Sequence, residues 1–150
     1  AESQLDRCRM RVELGYPAEA LERQLLLGRD RRDLLAALAP ALSLQRLLRL
    51  QGEVPRVHAS DALLDYVQAI ALYTRQASEF EAGLSPRAVI GLLRAAQAWA
   101  LMHAHPGVLP EDVQAVLPAV AGHRLAPRES SRFRDAGQVG QFVLETVPVP

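Results

Sequence analysis

Between residues 8 and 14 the chain alternates without a fault. Cys8, Met10, Val12 and Leu14 fall on one side, and Arg9, Arg11 and Glu13 on the other. That is the period of a half-buried strand. No second run offers it a good partner, since Val54 to Val57 is interrupted by Pro55 and can pair only at an edge. A lone strand leaves its ladder groups unpaired, so this one is expected to complete a sheet lying mostly outside the chain.

Beyond Gly15 the pattern becomes helical. Pro17, at a first helical position, opens a helix over 18–27 that Gly28 closes. Asp30 is placed to cap a helix running through Leu34, Leu35 and Leu38 toward Pro40, and Ser43 precedes another that ends at Gly52. Ser60 starts a long helix striped with Leu63, Val67, Ile70 and Thr74, with Leu64 and Ala71 beside the stripe. Ser85-Pro86 is a strong start signal for the next helix, whose expected buried face is Val89, Ile90, Leu93, Ala96, Ala100 and Leu101. Pro110-Glu111-Asp112 sets acids at the positive end of a further helix carrying Val113, Val116, Leu117 and Val120. A last helix is predicted over 136–145, and the arginine- and serine-rich stretch 124–134 reads as a surface loop. The expected fold is mainly α, a bundle of about six helices with one N-terminal strand.

Composition narrows the chemistry. The 150 residues carry 17 basic and 17 acidic groups, a net charge of zero, with 49% hydrophobic residues, so one folded domain of ordinary size is expected. All the basic residues are arginine. Without lysine the chain has no phosphate-binding Gly-Lys-Ser/Thr loop and no Schiff-base amine. The balanced charge argues against a protein that holds nucleic acid by electrostatics. The single cysteine, Cys8, has no internal disulfide partner, which suits a cytoplasmic location. The longest charge-free stretch, 95–110, falls short of the ~20 apolar residues of a membrane-spanning helix. No signal peptide is read at the start, which is polar and carries Arg7, Arg9 and Arg11; Ala1 in place of methionine reads as processing or as the edge of an excised piece.

Few side chains suggest catalysis. His103, His105 and His123 can in principle share a metal, but their spacing is not that of a helical metal site and the expectation is no metal. Cys8 lies on the apolar side of the strand and reads as a small buried hydrophobe, although Arg7 and Arg9 beside it would favour a thiolate. Asp30 and Asp33, among Arg29, Arg31 and Arg32, read as a solvated helix start. Two arginines stand out. Arg7 precedes the strand and projects from its end. Arg87 occupies the second position of the helix begun by Ser85-Pro86, where free amides and the helix dipole favour an anion and a guanidinium adds bidentate contacts.

At these residues the sequence resembles a family. Ala1-Glu-Ser-Gln-Leu-Asp-Arg7, the strand and Leu14-Gly-Tyr16-Pro17 are similar to the end of the ATPase core in MoxR-type AAA+ proteins. Gly83-Leu-Ser-Pro-Arg87-Ala88 matches the family's sensor 2 motif, G-x-S-P-R-A. Ala95-Ala-Gln-Ala-Trp-Ala100, Val108-Leu-Pro-Glu-Asp-Val113, His123-Arg124-Leu125 and Val147-Pro-Val-Pro150 follow in the family's order. The resemblance implies that 1–15 ends an AAA+ core and 16–150 forms its helical lid. It implies that Arg7 is an arginine finger, that Arg87 is the sensor 2 arginine, and that Tyr16 and Pro17 lie where adenine is seated. It further implies ATP and magnesium in the intact protein, a hexameric ring, partners with von Willebrand factor A domains, and chaperone-like maturation of protein complexes. The phosphate loop and the Walker B acids would lie upstream of Ala1, so these residues alone are expected to be inactive. The sequence departs from the family pattern at Cys8, where an aromatic is expected, at Leu109, where threonine commonly caps, and at 103–107. A second reading is a stand-alone helical adaptor that binds protein or DNA without nucleotide, supported by the arginines of 124–134.

Overall fold

The computed structural model describes residues 7–28, 31–128, 133 and 135–149. Among them are seven α-helices: α1 (Glu19–Leu27), α2 (Arg31–Ala36), α3 (Leu44–Glu53), α4 (Asp61–Gln76), α5 (Pro86–Met102), α6 (Pro110–Ala121) and α7 (Ala136–Thr146). Contacts group the chain into two units, 1–12 with 51–150, and 13–50.

The first unit is a helical bundle built on α6. This helix packs against α5 on one side and α7 on the other, while α4 closes on α5 and α6. The core comprises Leu63, Tyr66 and Ile70 of α4, Leu92, Ala96 and Ala100 of α5, Val113, Leu117 and Val120 of α6, and Val139 and Val143 of α7. Small residues allow close crossings. A Cβ on Gly140 would sit 2.5 Å from the Pro118 Cα, so the absence of a side chain is what lets α7 lie on α6 there.

Helix starts follow local chemistry. Ser60, Ser85 and Asp135 accept hydrogen bonds from the amides of Leu63, Ala88 and Gln138 at 3.2, 3.2 and 2.8 Å. Leu109, which has no side-chain acceptor, is served in reverse: Asp112, 1% exposed, accepts from its amide at 2.8 Å and from the His105 ring at 3.0 Å. The C-terminus of α5 is a Schellman turn, with His105 N bonded to Ala100 O and Ala104 N to Leu101 O. Its left-handed residue is Ala104, at φ 56°.

Several expectations shift. The run 54–57 forms no edge pairing but a 3-10 turn, Val54–Arg56, because Pro55 has no amide to donate and its fixed φ suits the turn. Pro17 lies just outside α1, whose N-cap is Ala18. Asp30 falls outside the described residues. The buried face of α5 is Ala88, Leu92, Ala96, Gln97 and Ala100, while Ile90 is 63% exposed. On α4, Leu64 is 41% exposed and Tyr66 takes a place in the core. Residues 8–14 have no regular secondary structure, with a bend at Arg9, and join no ladder among the described residues, so the expected strand is not formed here. Its apolar side stays open, and Cys8, expected to be buried, is exposed.

The second unit carries α1, α2 and most of α3. Ser43 caps α3 through Arg46 N at 3.2 Å. Neither α1 nor α3 buries a residue.

Candidate functional site

Arg87 is set up by a chain of local contacts. Thr74, buried near the end of α4, donates its hydroxyl to Ala71 O at 2.9 Å and accepts from Leu84 N at 3.1 Å. The adjacent Arg75 donates Nε to Leu84 O at 3.0 Å. One residue earlier, a Cβ on Gly83 would fall 2.5 Å from the Arg75 backbone, so only glycine lets the loop approach α4 this closely. Leu84, clasped on both backbone groups and 1% exposed, delivers Ser85 to its N-cap position. Pro86 then occupies the first helical turn and Arg87 comes next, exposed at the N-terminus of a 17-residue helix. The Arg87 side chain makes no hydrogen bond or ion pair among the described residues. At this helix start Ala88 N is taken by the Ser85 side chain and Val89 N by Ser85 O, so the donors left for a ligand are those of the Arg87 guanidinium, a fork that suits an anion with several oxygens, such as a phosphate.

Arg7 is also exposed, in a turn at the head of the segment 8–14. The segment itself, from Cys8 to Arg11, is tied to the end of α6. His123 Nε2 meets Cys8 O at 3.2 Å, Arg124 Nη1 donates to Arg9 O at 3.2 Å, and Arg124 Nη2 donates to Cys8 O. The Arg11 amide donates to Ala119 O at 2.8 Å. Arg7 and Arg87 therefore belong to the same compact unit. Tyr16, 99% exposed, and Pro17, also exposed, belong to the other.

The His103 and His105 rings lie 5.9 Å apart, while His123 has other partners. His105 pairs with Asp112, His103 reaches Trp99 O at 2.9 Å and lies 4.6 Å from the Trp99 ring, and His123 joins the segment at Cys8. The stretch expected as a surface loop is partly docked. Arg124 is spent on backbone carbonyls, and Arg128 donates Nε to Phe80 O at 3.2 Å beside the Phe80–Pro127 bridge. Sequence reasoning missed the clasp formed by Thr74 and Arg75, and saw His123 and Arg124 only as a motif. The signal available was a threonine inside a helix stripe four residues from the last apolar one, which calls for a buried partner.

The AAA lid domain family matches residues 72–141. The chaperone MoxR1 of Mycobacterium tuberculosis is 34% identical over 160 residues, which cover 99% of this chain and 42% of that protein. The chain carries an AAA lid domain of the MoxR type. Uncharacterized protein YeaC of Bacillus subtilis is 32% identical over 151 residues, 99% of this chain and 47% of YeaC. A crystal structure of a candidate ATPase from Cytophaga hutchinsonii superposes with a TM-score of 0.81 at 25% identity, covering 100% of this chain and 49% of that one. The chain thus spans about half the length of the relatives it matches. The lid domain match begins near the end of α4 and ends within α7, so it takes in the whole of α5 and α6 together with Arg87.

Proposed function

We propose that this chain is the lid part of a MoxR-like AAA+ ATPase that couples ATP hydrolysis to chaperone-like remodelling or maturation of protein complexes. The observation that carries this reading is the likeness to MoxR1 along 99% of the chain, with Arg87 exposed on a capped helix start inside the lid domain match. In this reading 1–15 is the end of the ATPase core and 16–150 the lid, and the protein works as a cytoplasmic ring, a hexamer, with von Willebrand factor A domain proteins as partners.

Arg7 is proposed as the arginine finger. Its guanidinium donates to the terminal phosphate of ATP on the adjacent subunit and neutralises charge that develops on the transferred phosphoryl group. Arg87 is proposed to hold a terminal phosphate of ATP, on its own subunit or on the neighbour, and to report its loss to the bundle through α5. Tyr16 and Pro17 are proposed to lie against the adenine. The donor-only character of Arg87, exposed at the N-terminal end of α5, fits a phosphate. Magnesium would add charge neutralisation between phosphate oxygens, but no cluster of three His, Cys, Asp or Glu among the described residues fits it. Its ligands belong to the part of the protein that the longer relatives carry in addition. The adaptor reading draws on the arginines of 124–134: Arg124 is engaged on backbone carbonyls, Arg128 is exposed while donating to Phe80 O, and Arg132 and Arg134 lie outside the described residues.

In the complete ATPase, Arg7→Ala is expected to lower turnover by about a thousandfold or more while nucleotide binding is kept, as for other arginine fingers. Mixing that variant with one lacking the phosphate-loop lysine should restore part of the activity. Full turnover by Arg7→Ala, or no rescue on mixing, would refute the finger acting across subunits. The 150 residues alone should show no ATP hydrolysis.

A further inference from the structure

We propose that Arg124, assisted by His123, is a positioning residue that clamps the backbone of residues 8–11 to the end of α6 and so fixes where Arg7 leaves the fold. The positioning role rests on the proposed role of Arg7; the clamp itself does not.

The guanidinium bridges two stretches of chain separated by more than a hundred residues. One side is the last turn of α6, where Arg124 Nη1 donates to Val120 O. The other is the segment at residues 8 and 9, where its nitrogens donate to Cys8 O and Arg9 O. His123 lies in the same gap, with Nδ1 at 3.2 Å from Ala119 O and Nε2 at 3.2 Å from Cys8 O, and a neutral ring donates to one of these two carbonyls. The Arg11 amide closes the set on Ala119 O at 2.8 Å. One device joins two sets of acceptors. Carbonyls at a helix C-terminus lack intrahelical donors, and the exposed carbonyls of residues 8 and 9 join no ladder. A planar fork with five donors serves both at once; an ammonium, a single point charge on a flexible stem, lacks that reach and geometry.

Arg7 directly precedes Cys8, whose carbonyl is clamped. A shift of the α6 end must therefore carry the Arg7 main chain with it. Arg87 is part of the same bundle, on the helix that packs most closely against α6. The clamp thus gives the two phosphate-directed arginines a common frame, and movement of the bundle on phosphate loss would displace the finger as well.

The test has two arms. In the 150-residue chain, hydrogen exchange of the Arg11 amide is measured for Arg124→Gln and, should that variant fail to fold, for the milder Arg124→Lys. Exchange is expected to quicken roughly tenfold or more at Arg11 while core amides of α6 keep their protection. Unchanged Arg11 protection in a folded variant overturns the clamp. In the complete ATPase, Arg124→Gln is expected to lower kcat about tenfold or more with the Kd for ATP unchanged, and Arg124→Lys to recover part of that loss. Faster Arg11 exchange with unchanged kcat overturns the positioning role. Full turnover by Arg7→Ala would instead refute the finger reading, and the positioning role with it, while Arg11 exchange still reports on the clamp.

Discussion

Two stretches of this chain have similar raw material and opposite fates. Residues 61–146 and residues 19–53 are both helical and rich in leucine and alanine. In the first, α4 to α7 close around a core with Ile70, Leu92, Val113 and Leu117 at 0% exposure. In the second, Leu26 is 83% exposed, Leu27 75% and Leu44 71%. The helices differ in length too: α1, α2 and α3 have 9, 6 and 10 residues, whereas α4 and α5 have 16 and 17. Helices that short are marginal on their own in water, so an apolar stripe on them states a need for a covering surface without supplying one. Amphipathicity thus marks where a helix will form; the identity of its partner is a separate piece of information.

Substitutions put that contrast at risk. The largest effect is expected from Leu92→Ala, which removes a fully buried side chain and should cost about 2–5 kcal/mol, whereas Leu26→Ala should stay within ~0.5 kcal/mol in this chain. Urea unfolding of the two variants checks the pair, and equal losses would mean that the stretch 19–53 is packed after all. Gly83→Ala pushes a Cβ into the Arg75 backbone and should cost about 1–3 kcal/mol by overpacking, read from the same denaturation curves. Thr74→Val leaves the buried Leu84 amide without its acceptor, and a loss of about 1–3 kcal/mol is expected. The smallest effect has the opposite sign. Ala104→Gly relieves the left-handed residue of the Schellman turn and should raise stability by roughly 0.5–1 kcal/mol; a lower Tm would refute that account.

The features legible in the sequence were mostly local. Ser43, Ser60 and Ser85 each announce a helix and each accepts the amide three residues on, because capping depends on neighbours within one turn. The face of α5 was harder to read. From Ala88 to Leu101 apolar residues fill most positions, so several stripes fit the 3.6 period, and the choice of Leu92 over Ile90 is made by α6, far away in sequence. Residues 8–14, whose alternation predicts a half-buried strand, form none among the described residues, and the burial of Cys8 does not result, since burial needs a second surface. Arg87 was legible at its helix start. The clasp beneath it was not, because Thr74 and Leu84 are joined across a loop whose path the pattern does not encode. Arg124 shows the limit most plainly: a residue in an arginine-rich stretch reads as solvated charge until its contacts with residues 8 and 9 are known.

Those contacts also bear on which positions are free to vary. Arg124 and His123 grip carbonyl oxygens, which every amino acid supplies, so the clamp is indifferent to the side chains at positions 8 and 9. The side chain at position 8 can therefore be exchanged without altering the bonds that hold the segment. Its path depends on the gripping side chain of Arg124 and not on the side chains that are gripped.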